Sequence, residues 1–326
     1  MLLPGGWRIS RVAEGAMAEM RIAENSVRGK LSSARTPALN VAYLEFGADV
    51  EPPIVLLHGW PYDVHCFDEV APRLASAGYR AIVPYLRGFG PTTYRSDAVM
   101  RSGQQAALGK DVVDLLDALG IQAATLVGYD WGGRAACIAA ALWPERVRAL
   151  VSSVGYTIYD PQKNSTDFGD IETVYKSWYR WFLNTPMGKR GLEQNREGLT
   201  RKLWQLWSPT WNFSQAEFTA TRSSFDNPDW VPTTLHCYRH WYANAAGDPV
   251  LQKFEDALAA KPKIHAPTMV LHGDSDSLYP ISTSAGQEHL FTGAYHRRIL
   301  KGTGHCPPQE NPAEFSQGII DLLRSI

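Results

Sequence analysis

Asp130, Asp276 and His305 are the residues whose types and chain order could carry out hydrolysis through a covalent intermediate. Asp130 lies in Leu126-Val127-Gly128-Tyr129-Asp130-Trp131-Gly132-Gly133-Arg134. The apolar run before it reads as the end of a buried strand, and the residues after it as the start of a helix. Glycines at 128 and 132 let backbones pack close around the turn, where a Cβ would clash. This is the glycine-x-nucleophile-x-glycine spacing of a nucleophile elbow, with a carboxylate at its apex. The bland alternative is a helix N-cap in a glycine-rich turn. The second acid lies in Gly273-Asp274-Ser275-Asp276-Ser277-Leu278-Tyr279-Pro280, and the histidine in Gly302-Thr303-Gly304-His305. Each follows a strand-like run. In an open parallel sheet, functional loops gather at the carboxyl ends of the strands, so all three groups share one edge.

A carboxylate nucleophile narrows the chemistry. Serine attacks carbonyl carbon and leaves an acyl-enzyme. Aspartate attacking an ester or amide would form an anhydride, a poor intermediate. Attack at a saturated carbon, in an epoxide or a carbon–halogen bond, leaves an alkyl ester of the enzyme's own carboxylate. Water activated by His305 then attacks the carbonyl carbon of Asp130, and N–H donors stabilise the tetrahedral intermediate. Asp130 therefore argues against esterase, lipase, peptidase and thioesterase activity. The two leaving groups differ in their needs. Halide takes N–H donors such as an indole. An epoxide oxygen becomes an alkoxide and needs an O–H acid such as tyrosine.

Positioning these groups requires alternating strands and helices. Strands are expected at 38–46 on the sheet edge, 54–57, 80–84, 123–127 and 147–154, with helices at 67–77, 104–119 and 132–142. That alternation predicts a parallel sheet with helices on both faces. It stops at Tyr156. From there to about Lys263 the pattern is helical and tryptophan-rich, with Trp178, Trp181, Trp204, Trp207, Trp211, Trp230 and Trp241. Alternation resumes with a strand at 268–271, a helix near 282–290, a strand near 297–300 and a helix over 312–326. A helical insertion in such a sheet reads as a cap. The chain accordingly divides into an N-terminal extension (1–35), a core (36–155 and 265–326) and a helical cap (156–264).

Hydrophobic residues are 44% and charged residues 20% of the chain, a soluble globular balance. A formal net charge of -1 without a basic run argues against a nucleic-acid or anionic-membrane partner. Cys66, Cys137, Cys237 and Cys306 form no CxxC and read as reduced thiols of a cytoplasmic protein. No stretch approaches the roughly 18 apolar residues of a membrane span. The first 33 residues lack the apolar core and cleavage site of a signal peptide. No cofactor or metal is expected.

The order nucleophile, acid, histidine is that of the α/β-hydrolases, where many relatives have serine in place of Asp130. Over residues 36–326 the chain resembles the epoxide hydrolases of that superfamily. The resemblance implies an α/β-hydrolase fold, a mostly parallel sheet flanked by helices with an inserted helical cap domain. It implies Asp130 as nucleophile and His305 as base. Asp276 is preferred over Asp274 because it stands three residues after Gly273 and four before Pro280, resembling the superfamily's G-x-x-D-x-x-x-P. In His58-Gly59-Trp60-Pro61, the Trp60 backbone N–H would join that of Trp131 as the oxyanion hole. Trp60, Trp131 and Pro61 would line the substrate pocket. The loop form resembles those in which the bond into proline is cis.

Two cap tyrosines hydrogen-bond the epoxide oxygen in this family. Tyr179 stands seven residues before Pro186, as the first of them does, and Tyr238 falls in Leu235-His236-Cys237-Tyr238-Arg239, which matches the segment of the second. Tyr175, one helical turn from Tyr179, competes for the first position. The chain departs from the family at Tyr85, where aspartate is usual, at Trp60, where phenylalanine is usual, and at Cys306. The implied activity is cofactor-independent opening of an epoxide to a vicinal diol. Its partners would be a small-molecule epoxide and water, and its assembly a monomer or homodimer. A haloalkane or haloacid dehalogenase on the same core is the alternative. A non-catalytic small-molecule binder is the third reading.

Overall fold

The structure, a computed structural model, describes residues 29–326. Nine strands are β1 (Lys30–Arg35), β2 (Leu39–Phe46), β3 (Ile54–Leu57), β4 (Ala81–Pro84), β5 (Thr93–Tyr94), β6 (Ala124–Gly128), β7 (Val147–Ser152), β8 (Thr268–Gly273) and β9 (Tyr295–Leu300). They form one sheet in the order β1-β2-β4-β3-β6-β7-β8-β9, with β5 paired to β2. Neighbours from β4 to β9 run parallel, whereas β1 and β4 flank β2 antiparallel. Every residue of β3, β4, β6 and β8 is buried. Helices cover both faces of a parallel sheet, which is why its strands read as continuous apolar runs.

The core helices before the insertion are α1 (Val70–Ser76), α2 (Gln105–Ala118) and α3 (Asp130–Leu142). Between β7 and β8 lie α4 (Pro161–Thr166), α5 (Ile171–Lys176), α6 (Trp178–Leu183), α7 (Pro186–Gln194), α8 (Arg196–Trp207), α9 (Gln215–Arg222), α10 (Trp230–Trp241) and α11 (Gln252–Ala259). The chain ends with α12 (Pro307–Glu310) and α13 (Pro312–Arg324). α2 packs on α3, and α3 on β6 and β7. α13 packs on α1 and on β7, β8 and β9.

The insertion is bolted to the loop after β3. Trp204 on α8 donates its indole N–H to the Pro61 carbonyl at 2.9 Å. Thr221 and Ser224 donate hydroxyls to the buried Asp63 carboxylate at 3.0 and 2.6 Å. Trp60 donates its indole N–H to Thr234 of α10 at 3.0 Å.

Two sequence expectations need correction. Residues 30–35 are not outside the core: they form β1, which pairs with β2 from Lys30↔Glu45 to Arg35↔Asn40. β2 is thus one strand in from the edge. Lys30–Arg35 escapes pattern reading because it pairs through its backbone and buries only Ala34. The helix expected near 282–290 is instead two 3-10 turns, Ile281–Ser284 and Glu288–Leu290. Gly286 at φ +70° separates them, and the Ser-Thr-Ser run before it is a weak helix former.

Candidate active site

β6 ends at Gly128 and α3 begins at Asp130, so the turn between them is a single tyrosine. Asp130 takes φ +49°, a left-handed conformation that strains a non-glycine residue. Its surroundings enforce it. A Cβ at Gly132 would lie 1.9 Å from the Leu57 carbonyl oxygen, and one at Gly128 would lie 2.4 Å from the Gly132 carbonyl carbon. Strand and helix meet here at a spacing only glycine allows.

The strained turn presents a buried carboxylate. Asp130 Oδ1 accepts the backbone N–H of Trp60 and that of Trp131, each at 2.7 Å. The bond from Trp60 into Pro61 is cis. His305 Nε2 stands 3.6 Å from Asp130 Oδ2. On the other side of the ring, His305 Nδ1–H donates to Asp276 Oδ2 at 2.9 Å. Asp276 Oδ1 accepts N–H bonds from Leu278 and Tyr279, at 2.8 and 3.0 Å. Asp274 is exposed and binds the Gly302 N–H, so it shapes the turn and does not meet the histidine.

Electrostatics couples the three groups. Burial by itself would raise the Asp130 carboxyl. The nearby His305 imidazole, 3.6 Å away, then the Arg134 charge, outweigh burial and hold it below its ordinary value. Burial would likewise strip the proton from His305. The Asp276 charge, then the nearby Asp130 carboxylate and the Asp276 hydrogen bond, reverse that and hold the imidazole well above its ordinary value.

Tyr179 and Tyr238 lean over this pair from the insertion. Their rings are 5.3 Å apart, nearly perpendicular, and both contact Trp60, at 5.6 and 5.0 Å. Tyr238 oxygen accepts the indole N–H of Trp131 at 3.3 Å, and Tyr179 oxygen accepts Nε–H of Arg180 at 3.1 Å. Burial pushes both phenols upward, so both stay protonated. With a lone pair occupied on each oxygen, each O–H is left to donate. Tyr175 is 72% exposed, so it lies away from this cluster. Pro61 presents its carbonyl to Trp204. Trp207 sets its ring edge-on to His305 at 5.0 Å and also borders an outer cleft of about 250 Å³ with Tyr175, Trp178 and Leu206. Among the described residues no group of three His, Cys, Asp or Glu side chains is placed to hold a metal.

A model of the alpha/beta hydrolase fold matches residues 52–312. The chain belongs to the alpha/beta hydrolase fold family. This hydrolase is 41% identical to a Klebsiella pneumoniae subsp. pneumoniae protein described as a putative epoxide hydrolase. That crystal structure superposes with a TM-score of 0.87 over 90% of this chain and 97% of the other. An epoxide hydrolase from Caballeronia sordidicola is 27% identical over 320 residues, 89% of this chain and 92% of its own. Epoxide hydrolase A of Mycobacterium tuberculosis is 26% identical over 322 residues, 89% and 96% of the two chains.

Several residues that hold the hydrolase site were invisible to motif reading. The Glu310 carboxylate binds the N–H groups of Gly304 and Cys306, at 2.6 and 2.8 Å, and the Ser208 hydroxyl at 2.6 Å. Ser208 in turn accepts the His305 N–H at 2.9 Å. An acid on α12 and a serine after α8 thus fix the histidine loop. Buried His272 bridges Ser284 and the Tyr279 carbonyl, bracing the loop of Asp276. A carboxylate five residues after the histidine is the one sequence signal that could have pointed to Glu310.

His58 secures the loop of Trp60 as a neutral ring. Its Nε2 accepts the Leu86 N–H at 3.0 Å, so Nδ1–H donates to the Gly59 carbonyl at 2.9 Å. Burial pulls the imidazole down to about 4, only partly offset by the Gly59 bond and the Asp130 charge. The folded value lies below the unfolded one near 6.5. The stabilisation is therefore complete above that pH and is lost as pH falls toward about 4, a loss of about 3 kcal/mol. Buried Asp63 is pushed up to about 6 and acts with the opposite sign, so the test must be differential. Denaturant melts of wild type and His58→Gln from about pH 7 to about pH 4 provide it. The wild-type advantage should shrink by that amount toward the acid end. A difference that stays constant with pH would remove His58 from the acid transition.

Proposed function

We propose that this hydrolase opens an epoxide to a vicinal diol through a covalent ester on Asp130. The observation that carries the reading is the pair of buried tyrosines beside Asp130, each with an N–H donor on its oxygen and an O–H left to give. The names of the full-length relatives agree with it. Oδ1 is held by two N–H donors, which leaves Oδ2 to attack the ring carbon. The new Oδ2–C bond forms as the ring C–O bond breaks; the departing alkoxide takes one proton from Tyr238 while Tyr179 donates a hydrogen bond to it. Alkylation removes the Asp130 charge, one of the influences holding the proton on His305. The imidazolium proton passes to the tyrosinate left by ring opening, and the neutral imidazole then takes a proton from water, which attacks Cγ of Asp130. Oδ1 becomes the oxyanion within donors already in place. The Cγ–Oδ2 bond breaks, the imidazolium gives that oxygen its proton so that it leaves in the diol, and the regenerated Asp130 carboxyl returns its own proton to His305. Asp276 holds the ring in register throughout.

Halide departure would require the Trp131 indole N–H to be available. It is engaged by Tyr238, which weighs against a dehalogenase. No helix of the described residues is long and apolar enough to cross a membrane. The free, buried cysteines support a cytoplasmic setting.

Tyr238→Phe tests the acid. Stopped-flow alkylation should slow by about 10²-fold or more with substrate affinity changed far less. An unchanged alkylation rate would remove Tyr238 from that role.

A further inference from the structure

Two buried guanidinium groups beside this site have no counterion among the described residues. Arg134 and Arg180 are 5% and 6% exposed. Both lie over the ring of Trp241, their guanidinium carbons 4.7 and 4.6 Å from its centroid. Arg134 also lies 5.2 Å from the centre of the Tyr159 ring. Among the described residues no carboxylate stands within ion-pair distance of either group. The carboxylates of Asp130 and Asp276 face His305 instead. Arg180 reaches the hydroxyls of Tyr179 and Tyr279. Arg134 Nε and Nη1 and the Tyr159 hydroxyl find no hydrogen-bond partner among the described residues.

Arginine stays protonated, and a buried cation without an anion is costly. Stacking on one indole ring compensates only part of that cost, and it places two like charges against the same ring. The cluster is therefore complementary to something negative. Its place in the fold says what. Arg134 is one turn along α3 from Asp130, and its charge already acts on that carboxylate. Arg180 follows Tyr179 on α6 and holds its oxygen. An anion here would be joined to the molecule undergoing reaction.

We propose that Arg134 and Arg180, gathered around Trp241 with Tyr159, form an anion subsite that selects epoxides bearing a carboxylate. The inference rests on the epoxide reading for its reaction and on the unpaired guanidinium groups for its specificity. Planar guanidinium forks suit a carboxylate, which can accept two parallel N–H bonds.

The test compares 3-phenyloxirane-2-carboxylate with its neutral analogue, (3-phenyloxiran-2-yl)methanol. Wild type should favour the acid in kcat/KM by about tenfold or more. Arg134→Gln should lower that preference by about tenfold, and Arg134→Lys should restore part of it. Competitive binding of 3-phenylpropanoate against 3-phenylpropan-1-ol, read by tryptophan fluorescence, reports the subsite without turnover. Hydrolysis of the alcohol with no preference for the acid overturns the subsite and leaves the epoxide reading intact. A preference that Arg134→Gln does not change also overturns it. If neither epoxide reacts while the propanoate still binds more tightly through Arg134, the subsite stands and the epoxide reading falls.

Discussion

Asp130→Ala should abolish diol formation, lowering kcat by about 10⁴-fold or more. The size follows from the place of the residue in the reaction. Without the carboxylate no covalent intermediate forms, and the oxyanion donors of Trp60 and Trp131 have no acyl oxygen to stabilise. The remaining groups can orient water only against the epoxide itself. A companion measurement identifies the bond that breaks. In ¹⁸O-water with enzyme in excess, the diol of the first turnover should carry no label, and the peptide containing Asp130 should gain it. Water attacks Cγ, and the oxygen that leaves in the diol comes from the enzyme. Label in the first diol with none in the protein would mean direct attack by water on the ring. Residual activity above about 1% in Asp130→Ala would likewise remove it as the nucleophile.

His305→Gln should separate the two half-reactions. Alkylation needs Asp130 ionised; the variant loses the His305 influence that lowers this carboxyl but keeps the Arg134 charge and the Trp60 N–H bond, which hold the carboxylate form at neutral to alkaline pH. Ester formation should therefore persist, while hydrolysis slows by about 10³-fold. Intact-protein mass spectrometry should show one equivalent of adduct, heavier than the free enzyme by the whole substrate. Glutamine cannot take the proton from water, so the ester has no base to complete the cycle. In wild type, hydrolysis slows as pH falls, because the imidazole must be free of its proton to act. If the variant builds up no adduct although it remains folded and binds substrate, His305 is not the base of the second step.

The contest between Tyr175 and Tyr179 shows why some of the site could not be read in advance. Four residues apart, they would share a face of one continuous helix. The chain instead breaks at Ser177, which ends α5 and starts α6. Tyr175 turns 72% to solvent, while Tyr179 is wholly buried against Trp60 and Trp207. Nothing local to that segment announces the break. It is set by the docking of α6 against α7 and α10.

What the amino-acid order determined by itself were the features with a local cause. A glycine spaced two residues to each side of Asp130 is a steric requirement, visible wherever a strand must turn sharply into a helix. Apolar runs alternating with amphipathic stretches dictate a parallel sheet covered by helices, and with it the shared edge at which Asp130, Asp276 and His305 meet. Only the tertiary structure decided the features that depend on residues distant in the chain. β1 exists because β2 offers it a backbone ladder, not because Lys30–Arg35 buries an apolar face. Glu310 and Ser208, 102 positions apart in the numbering and hydrogen-bonded to each other, grip the histidine loop through bonds that leave no periodic trace in sequence. Arg134 and Arg180 lie 46 positions apart in the numbering and share one tryptophan ring. Their lack of a carboxylate partner is a property of the folded surroundings, since only folding removes the water that would otherwise serve them.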